Sequence, residues 1–340
     1  MTRKHLLTAA IATALVAPGA QALEFTAQDG LSLAENTTFN LYGTVEPKVI
    51  SEKNGAGDSS TELDDEDSTL GFGFETRLSN AVTAYGQIEL EYESDGDDGS
   101  GAFDGQDSAF LGLKGNFGKL QAGNFDSVYE DLIIDATEVA EDAEISDEAF
   151  ASEDNQVAYY SPDWNGFSFR TQARIQGRDE GPASEESNEV GLSLAGGYTG
   201  DNWGLYAGYD DRGAETGTNA AGNDVYVSEN TYGMSGLYGI GQLEFGAKYS
   251  IQENLEGDPA GDETTFTALR GTFSQGRTEF YGAVQRVSPD DETVVSERDE
   301  LTLGVSHQLY EPLSLWAEAG WYDKANDEGD NVMVGAIFSF

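Results

Sequence analysis

Hydrophobic and polar positions alternate with a period of two along most of the chain. Within residues 241–252, one side carries Leu243, Phe245, Ala247, Tyr249 and Ile251, and the other Gln242, Glu244, Lys248, Ser250 and Gln252. Within 82–93, Val82, Ala84, Ile88, Leu90 and Tyr92 oppose Thr83, Gln87, Glu89, Glu91 and Glu93. At the C-terminus Val332, Val334, Ala336, Phe338 and Phe340 share one side. Strict alternation with one polar side predicts half-buried strands. Long polar connections fall near 51–67, 94–106, 125–154, 177–187, 211–228, 253–262, 288–296 and 323–328. Short ones fall near 80, 116–118, 162–165, 200–202, 239–241, 275–276 and 311–312. Long and short alternate throughout, which predicts about 16 antiparallel strands with both termini on one side. A soluble Greek-key sandwich has no reason to keep that order, whereas a transmembrane β-barrel has short turns at one end and long loops at the other. Closure is also a physical requirement, because an open sheet edge in hydrocarbon leaves backbone N–H and C=O groups unpaired. The expected fold class is therefore all-β, a transmembrane antiparallel β-barrel.

Aromatic residues gather near the predicted strand ends: Tyr159, Tyr160, Trp164 and Phe167; Trp203, Tyr206 and Tyr209; Trp316, Trp321 and Tyr322. They are expected to form interfacial girdles. The N-terminus adds a secretory leader: Arg3, Lys4 and His5, an apolar run to Ala17, then Pro18-Gly19 and Ala20-Gln21-Ala22. Residues 1–22 are read as a signal peptide and 23–340 as the barrel domain. No other stretch approaches the ~20 apolar residues of a spanning helix. The mean hydropathy of −0.45 does not contradict a barrel, whose apolar signal is spread over short alternating segments.

Composition narrows the chemistry. The 63 acidic and 17 basic residues give a formal net charge of −46, and removal of the leader's Arg3 and Lys4 would deepen it. Such a surface repels nucleic acid and suits cations, or a salty, halophilic medium in which repulsion is screened. There is no Cys, and of the two His only His307 lies beyond the leader, so most nucleophile–base and zinc arrangements are unavailable. No catalytic constellation and no cofactor site is expected. Asp95-Gly96-Asp97-Asp98-Gly99 resembles the start of a calcium loop, but Ser100 stands where Gly is required and Gln106 where Glu is required. Incidental Ca²⁺ or Mg²⁺ at the acidic loops is the most that composition allows. His307, on a side with Leu303 and Val305, reads as an interfacial or packing residue.

Several segments resemble the general, trimeric porins of Gram-negative bacteria. They are Asn40-Leu41-Tyr42-Gly43; Leu70-Gly71-Phe72 with Glu75 and Leu78-Ser79-Asn80; the run from Ala109 to Leu120; Tyr159-Tyr160-Ser161-Pro162 with Gly166-Phe167-Ser168-Phe169; and the terminal Phe340. The resemblance implies 16 strands, a homotrimer, and a third long loop folded into the lumen. It also implies an outer-membrane location among lipid and lipopolysaccharide. Phe340 would be the assembly signal read by the barrel-assembly machinery. The loop would be 125–154, with Glu130, Asp131, Asp135, Glu138, Glu141, Asp142 and Glu144 as constriction residues and no Lys or Arg. The chain departs from the family where arginines are common on the facing wall: Thr69, Asp107 or Ser108, Asn124, and Glu153 or Asp154 stand there.

Strand parity puts Glu46, Glu75, Glu89, Glu91 and Glu93 on the lumen side as acidic wall, and Lys48, Arg77, Arg170 and Arg174 as basic wall. Outward placement of the arginines is disfavoured, since Arg on the lipid face costs ~2–4 kcal/mol at the midplane. Like charges two residues apart, as at Glu89, Glu91 and Glu93, need water and counter-ions. The expected function is passive diffusion of ions and small hydrophilic solutes through a water-filled, cation-selective pore. A substrate-specific channel and a non-conducting structural barrel remain as alternatives.

Overall fold

The computed structural model describes residues 25–26, 36–95, 103, 105–148, 155–175, 190–218, 224–253, 263–290 and 296–340. Residues 1–24, which include the expected leader, and residues 149–154 at the end of the third loop, including Glu153 and Asp154, lie outside the described residues, as do 96–100 of the calcium-like stretch. One antiparallel sheet closes on itself as a barrel of 16 strands. Strand β1 is Thr37–Val45 continued by Pro47–Lys53, and β2 is Ser59–Asp65 continued by Thr69–Arg77. There follow β3 (Val82–Glu91), β4 (Gly105–Gly115), β5 (Gly118–Asn124), β6 (Gln156–Tyr160), β7 (Phe167–Ile175) and β8 (Val190–Thr199). The remainder are β9 (Trp203–Thr218), β10 (Asp224–Ile240), β11 (Leu243–Glu253), β12 (Glu263–Gln275), β13 (Thr278–Pro289), β14 (Arg298–Tyr310), β15 (Leu313–Trp321) and β16 (Asn331–Ser339).

Each strand pairs with its neighbours in sequence, and β16 returns to β1 through Phe338↔Val45 and Ser339↔Thr44. Phe340 extends this seam: its N–H donates to the Gly43 carbonyl at 3.0 Å, and the Gly43 N–H donates to the Phe340 oxygen at 3.2 Å. A two-residue piece, Phe25–Thr26, pairs with Phe39 and Thr38 of β1.

The faces are inverted relative to a soluble protein. Leu111, Leu192, Leu194, Leu205, Met234 and Leu303 are exposed, while Ser193, Ser235, Lys248, Gln252 and Thr302 are buried on the opposite face. An apolar outer band and a polar interior are what a bilayer demands of a barrel. His307 lies on the outer face near a short turn and its Nδ1 is 2.8 Å from the Thr278 hydroxyl. Two of the short turns, 241–242 and 276–277, put glycine at the first central position with φ of +68° (Gly241) and +66° (Gly276), as a type II′ hairpin requires.

Two expectations are corrected. The connections near 51–67 and 211–228 are mostly strand: β1 and β2 run to Lys53 and from Ser59, and β9 and β10 run to Thr218 and from Asp224. Between β1 and β2, residues 54–63 are exposed on both faces, so apolar alternation stops there while backbone pairing continues. The predicted girdles are also only partly outward. Trp164, Phe167, Trp203 and Trp321 are exposed, with Trp164 stacked on Phe167 at 6.3 Å and Tyr198 on Trp203 at 5.4 Å. Tyr206 and Trp316 instead are buried on the inner face, and Tyr160 is paired there with Lys119 and Arg170.

Candidate functional site

The third loop leaves β5, the shortest strand after β6, and its described part, 125–148, packs on inner-face side chains of the other strands. Its first half is apolar. Val128, Tyr129, Leu132, Ile133, Ile134 and Ala136 are buried, around a single helical turn, α1 (Glu130–Ile133). Tyr129 and Ile133, four residues apart, lie on one side of that turn and sit over Gly208 of β9 and Gly233 of β10. A Cβ at Gly208 would lie 2.8 Å from the Tyr129 ring, and one at Gly233 would collide with Ile133. Polar contacts fix the register: Val128 N–H donates to Gln172 at 2.9 Å, the Ser235 hydroxyl to the Leu132 carbonyl, and Arg270 Nε to the Ala136 carbonyl at 2.7 Å.

The second half is held by charge. Three successive N–H groups, of Glu141, Asp142 and Ala143, donate to the Glu318 carboxylate at 2.7, 3.0 and 2.9 Å, and Tyr281 adds its hydroxyl at 2.5 Å. Glu300 accepts from the Ser146 N–H at 2.8 Å and from Arg298 Nε at 2.6 Å. Lys48 Nζ lies 2.6 Å from Asp142 and 2.6 Å from Glu66. Lys248 Nζ lies 2.8 Å from Glu148 and 3.1 Å from Asp147.

The remaining loop carboxylates form the other side of the segment. Glu141 and Glu144 are exposed, and Asp126, Asp135 and Glu138 are half-buried. Carboxylate oxygens of Glu138, Glu144 and Asp147 come within 4.8 Å of one another. Burial, and then repulsion from Glu138, pushes Asp135 up to about 9; burial, and then repulsion from Asp147, pushes Glu138 up to about 7. Of the expected constriction residues, Asp131 is paired with Arg170 and Asp142 with Lys48, so neither stands as an unneutralised charge. Glu130 lies in α1, half-buried, and its carboxylate accepts the Ser127 N–H at 3.2 Å.

The expected wall residues divide. Glu89 is not a solvated charge: it is buried and takes the Tyr42 hydroxyl and, at 3.0 Å, the Gln87 amide. At Glu89, hydrogen bonds thus stand where screening by water and counter-ions was expected. Glu75 pairs with Lys114. Glu46 lies at the β1 kink, its N–H donating to Ser68 at 2.9 Å, and Glu91 and Glu93 lie at and beyond the end of β3. Arg77 is exposed at the turn end of β2, and Arg174 is half-buried in register with Gln156. Thr69, where an arginine is common, is buried against the Thr44 hydroxyl at 3.1 Å.

Sequence reasoning missed Lys119, whose Nζ sits 4.1 Å from the Tyr160 ring centre, with Arg170 5.5 Å from the same ring. It also missed the tethers Lys248, Arg270, Arg298, Glu300 and Glu318. Parity places each on the inner face, but no local signal tells which strand meets the loop.

The Gram-negative porin family model matches residues 7–327. The chain belongs to the Gram-negative porins. A monosaccharide porin from a Halomonas species is 29% identical, over 99% of this chain and 100% of the relative, and the major outer membrane protein of Halomonas elongata gives the same figures. Among solved structures, Salmonella typhi OmpF superposes with a TM-score of 0.69 at 17% identity, covering 94% of this chain and 100% of that one. The anion-selective porin of Comamonas acidovorans gives 0.68 at 19% identity, covering 89% and 100%. This porin is thus an outer-membrane channel for small solutes, and its relatives are channels rather than enzymes.

Proposed function

We propose that this porin is a general diffusion pore that favours cations, with 125–148 folded across the lumen as its constriction. The observation that carries the reading is where the wall cations go. Lys48, Lys248, Arg270 and Arg298 all bond to the loop. Asp126, Asp135, Glu141 and Glu144 have no ion-pair partner among the described residues; burial pushes Asp126 up to about 6, Glu141 to about 7 and Asp135 and Glu144 to about 9, so the negative charge they present grows as pH rises. A low-dielectric wall around one sign of charge concentrates counter-ions. Lys114, Lys119, Arg170 and Arg174 on β4, β5 and β7 supply a basic strip, but Lys114 and Arg170 are neutralised by Glu75 and Asp131.

A sugar-specific channel is the second reading, favoured by the relative named a monosaccharide porin. Against it, the inward tyrosines are engaged: Tyr42 by Glu89, Tyr85 by Lys114 at 5.3 Å and Tyr160 by Lys119. A homotrimer, insertion through Phe340, contact with lipopolysaccharide and a cleaved leader complete the proposal, with no cofactor.

Reversal potentials across a salt gradient in planar bilayers test it. The expected result is a cation-side potential that shrinks near ~1 M salt, where the Debye length is ~3 Å. An anion-side potential would mean that Lys119 and its neighbours control the constriction, and a folded but silent barrel would remove the pore reading.

A further inference from the structure

Lys248 is the one inner-wall cation with no solvent exposure at all among those that pair with the loop, and its partner Glu148 is likewise fully enclosed. Glu148 does more than pair with it. Its Oε1 accepts the Tyr129 hydroxyl at 3.1 Å. Tyr129 belongs to the apolar half of the described segment and Glu148 to the ionic half, so a single carboxylate ties both halves to one point on β11. The ammonium also reaches Asp147 at 3.1 Å, and Asp147 belongs to the group with Glu138 and Glu144. Three carboxylates that close repel one another strongly, and a cation behind them offsets that repulsion. Arg270 and Arg298 do not substitute, since they bond to the Ala136 carbonyl and to the Ser146 hydroxyl and Glu300.

We propose that Lys248 is a positioning residue for permeation: from behind the loop, out of reach of any solute, it sets the aperture and keeps the Glu138, Glu144 and Asp147 carboxylates crowded toward the pore. The inference rests on the diffusion-pore reading. Removing one member of a buried pair leaves the other charge uncompensated, whereas replacing both with apolar side chains of similar volume is commonly tolerated. Lys248 therefore needs both a single and a double variant.

The test is single-channel recording of wild type, Lys248→Met, Lys248→Arg and the double variant Lys248→Met/Glu148→Met, each first shown to be a folded barrel by its heat-dependent mobility in detergent gels. Wild type should hold one main conductance level. Lys248→Met and the double variant should show added substates and open-channel noise raised severalfold, with a changed cation-to-anion permeability ratio, and Lys248→Arg should restore the wild-type trace. A merely structural role would lower the unfolding temperature without moving the permeability ratio. If Lys248→Met does not fold, the double variant decides alone. A folded variant with the wild-type level, noise and permeability ratio overturns the proposal. A silent wild type instead overturns the diffusion-pore reading on which it rests.

Discussion

The two halves of the 125–148 segment are fastened to the same wall by different physics. Residues 125–136 lie in a trough made by missing side chains, with Tyr129 and Ile133 filling the space over Gly208 and Gly233. Residues 137–148 are held by carboxylates and ammonium groups, above all Glu318, Glu300, Lys48 and Lys248. Apolar contact does not depend on protonation and is not weakened by charge screening, while charged contact is sensitive to both. The first half, apart from its Asp131–Arg170 pair and the Asp135 carboxyl, should therefore vary little with the medium, and the second half should carry most of the segment's response to salt.

The largest expected effect breaks the apolar half. Ile133→Ala should cost about 2–5 kcal/mol of local stability, measured as protease cleavage within 125–148, and the loss should be the same at low and high salt. A smaller effect is expected in the ionic half. Glu318→Ala leaves three N–H groups without their carboxylate, at about 1–3 kcal/mol once lumen water replaces part of the bonding. Cleavage there should also vary with salt, and equal salt responses in the two variants would erase the distinction between the halves.

The smallest effect is a titration. Asp135 and Glu138 hold protons more tightly in the folded protein than ordinary carboxylates, up to about 9 and about 7. They therefore lose charge as pH falls, and their charged forms oppose the folded loop as pH rises. Cation preference should decline from about pH 9 to pH 7, read from reversal potentials. Asp135→Asn should flatten the upper part of that curve.

The barrel was legible because a strand exposes its environment at every second residue. Leu243, Phe245 and Tyr249 against Lys248, Ser250 and Gln252 specify both a strand and its two solvents. The same rule failed at 211–218, where backbone pairing continues without apolar alternation in the sequence. The acidic loop was legible too, since it has no Lys or Arg. Its fastening was not: Lys248 meets Asp147 across 101 residues of chain, and Glu318 meets Asp142 across 176. Parity states that each points inward and nothing about what it finds there. Trp316 shows the same limit, an aromatic near a strand end that packs inward with Met333, Ile50 and Ala143 rather than at the membrane interface.

The seam between Phe340 and Gly43 has a consequence for how such a chain must be made. Phe340 supplies two of the backbone bonds that shut the cylinder. Until β16 is made, β1 has no closing partner, and an open sheet would present a bare edge to any other chain. Closure joins residues almost the whole chain apart, a contact that loop entropy makes slow. The chain must therefore be kept apart from its own copies for the entire time from the first strand to the last, and loss of Phe340 would fall where closure is completed.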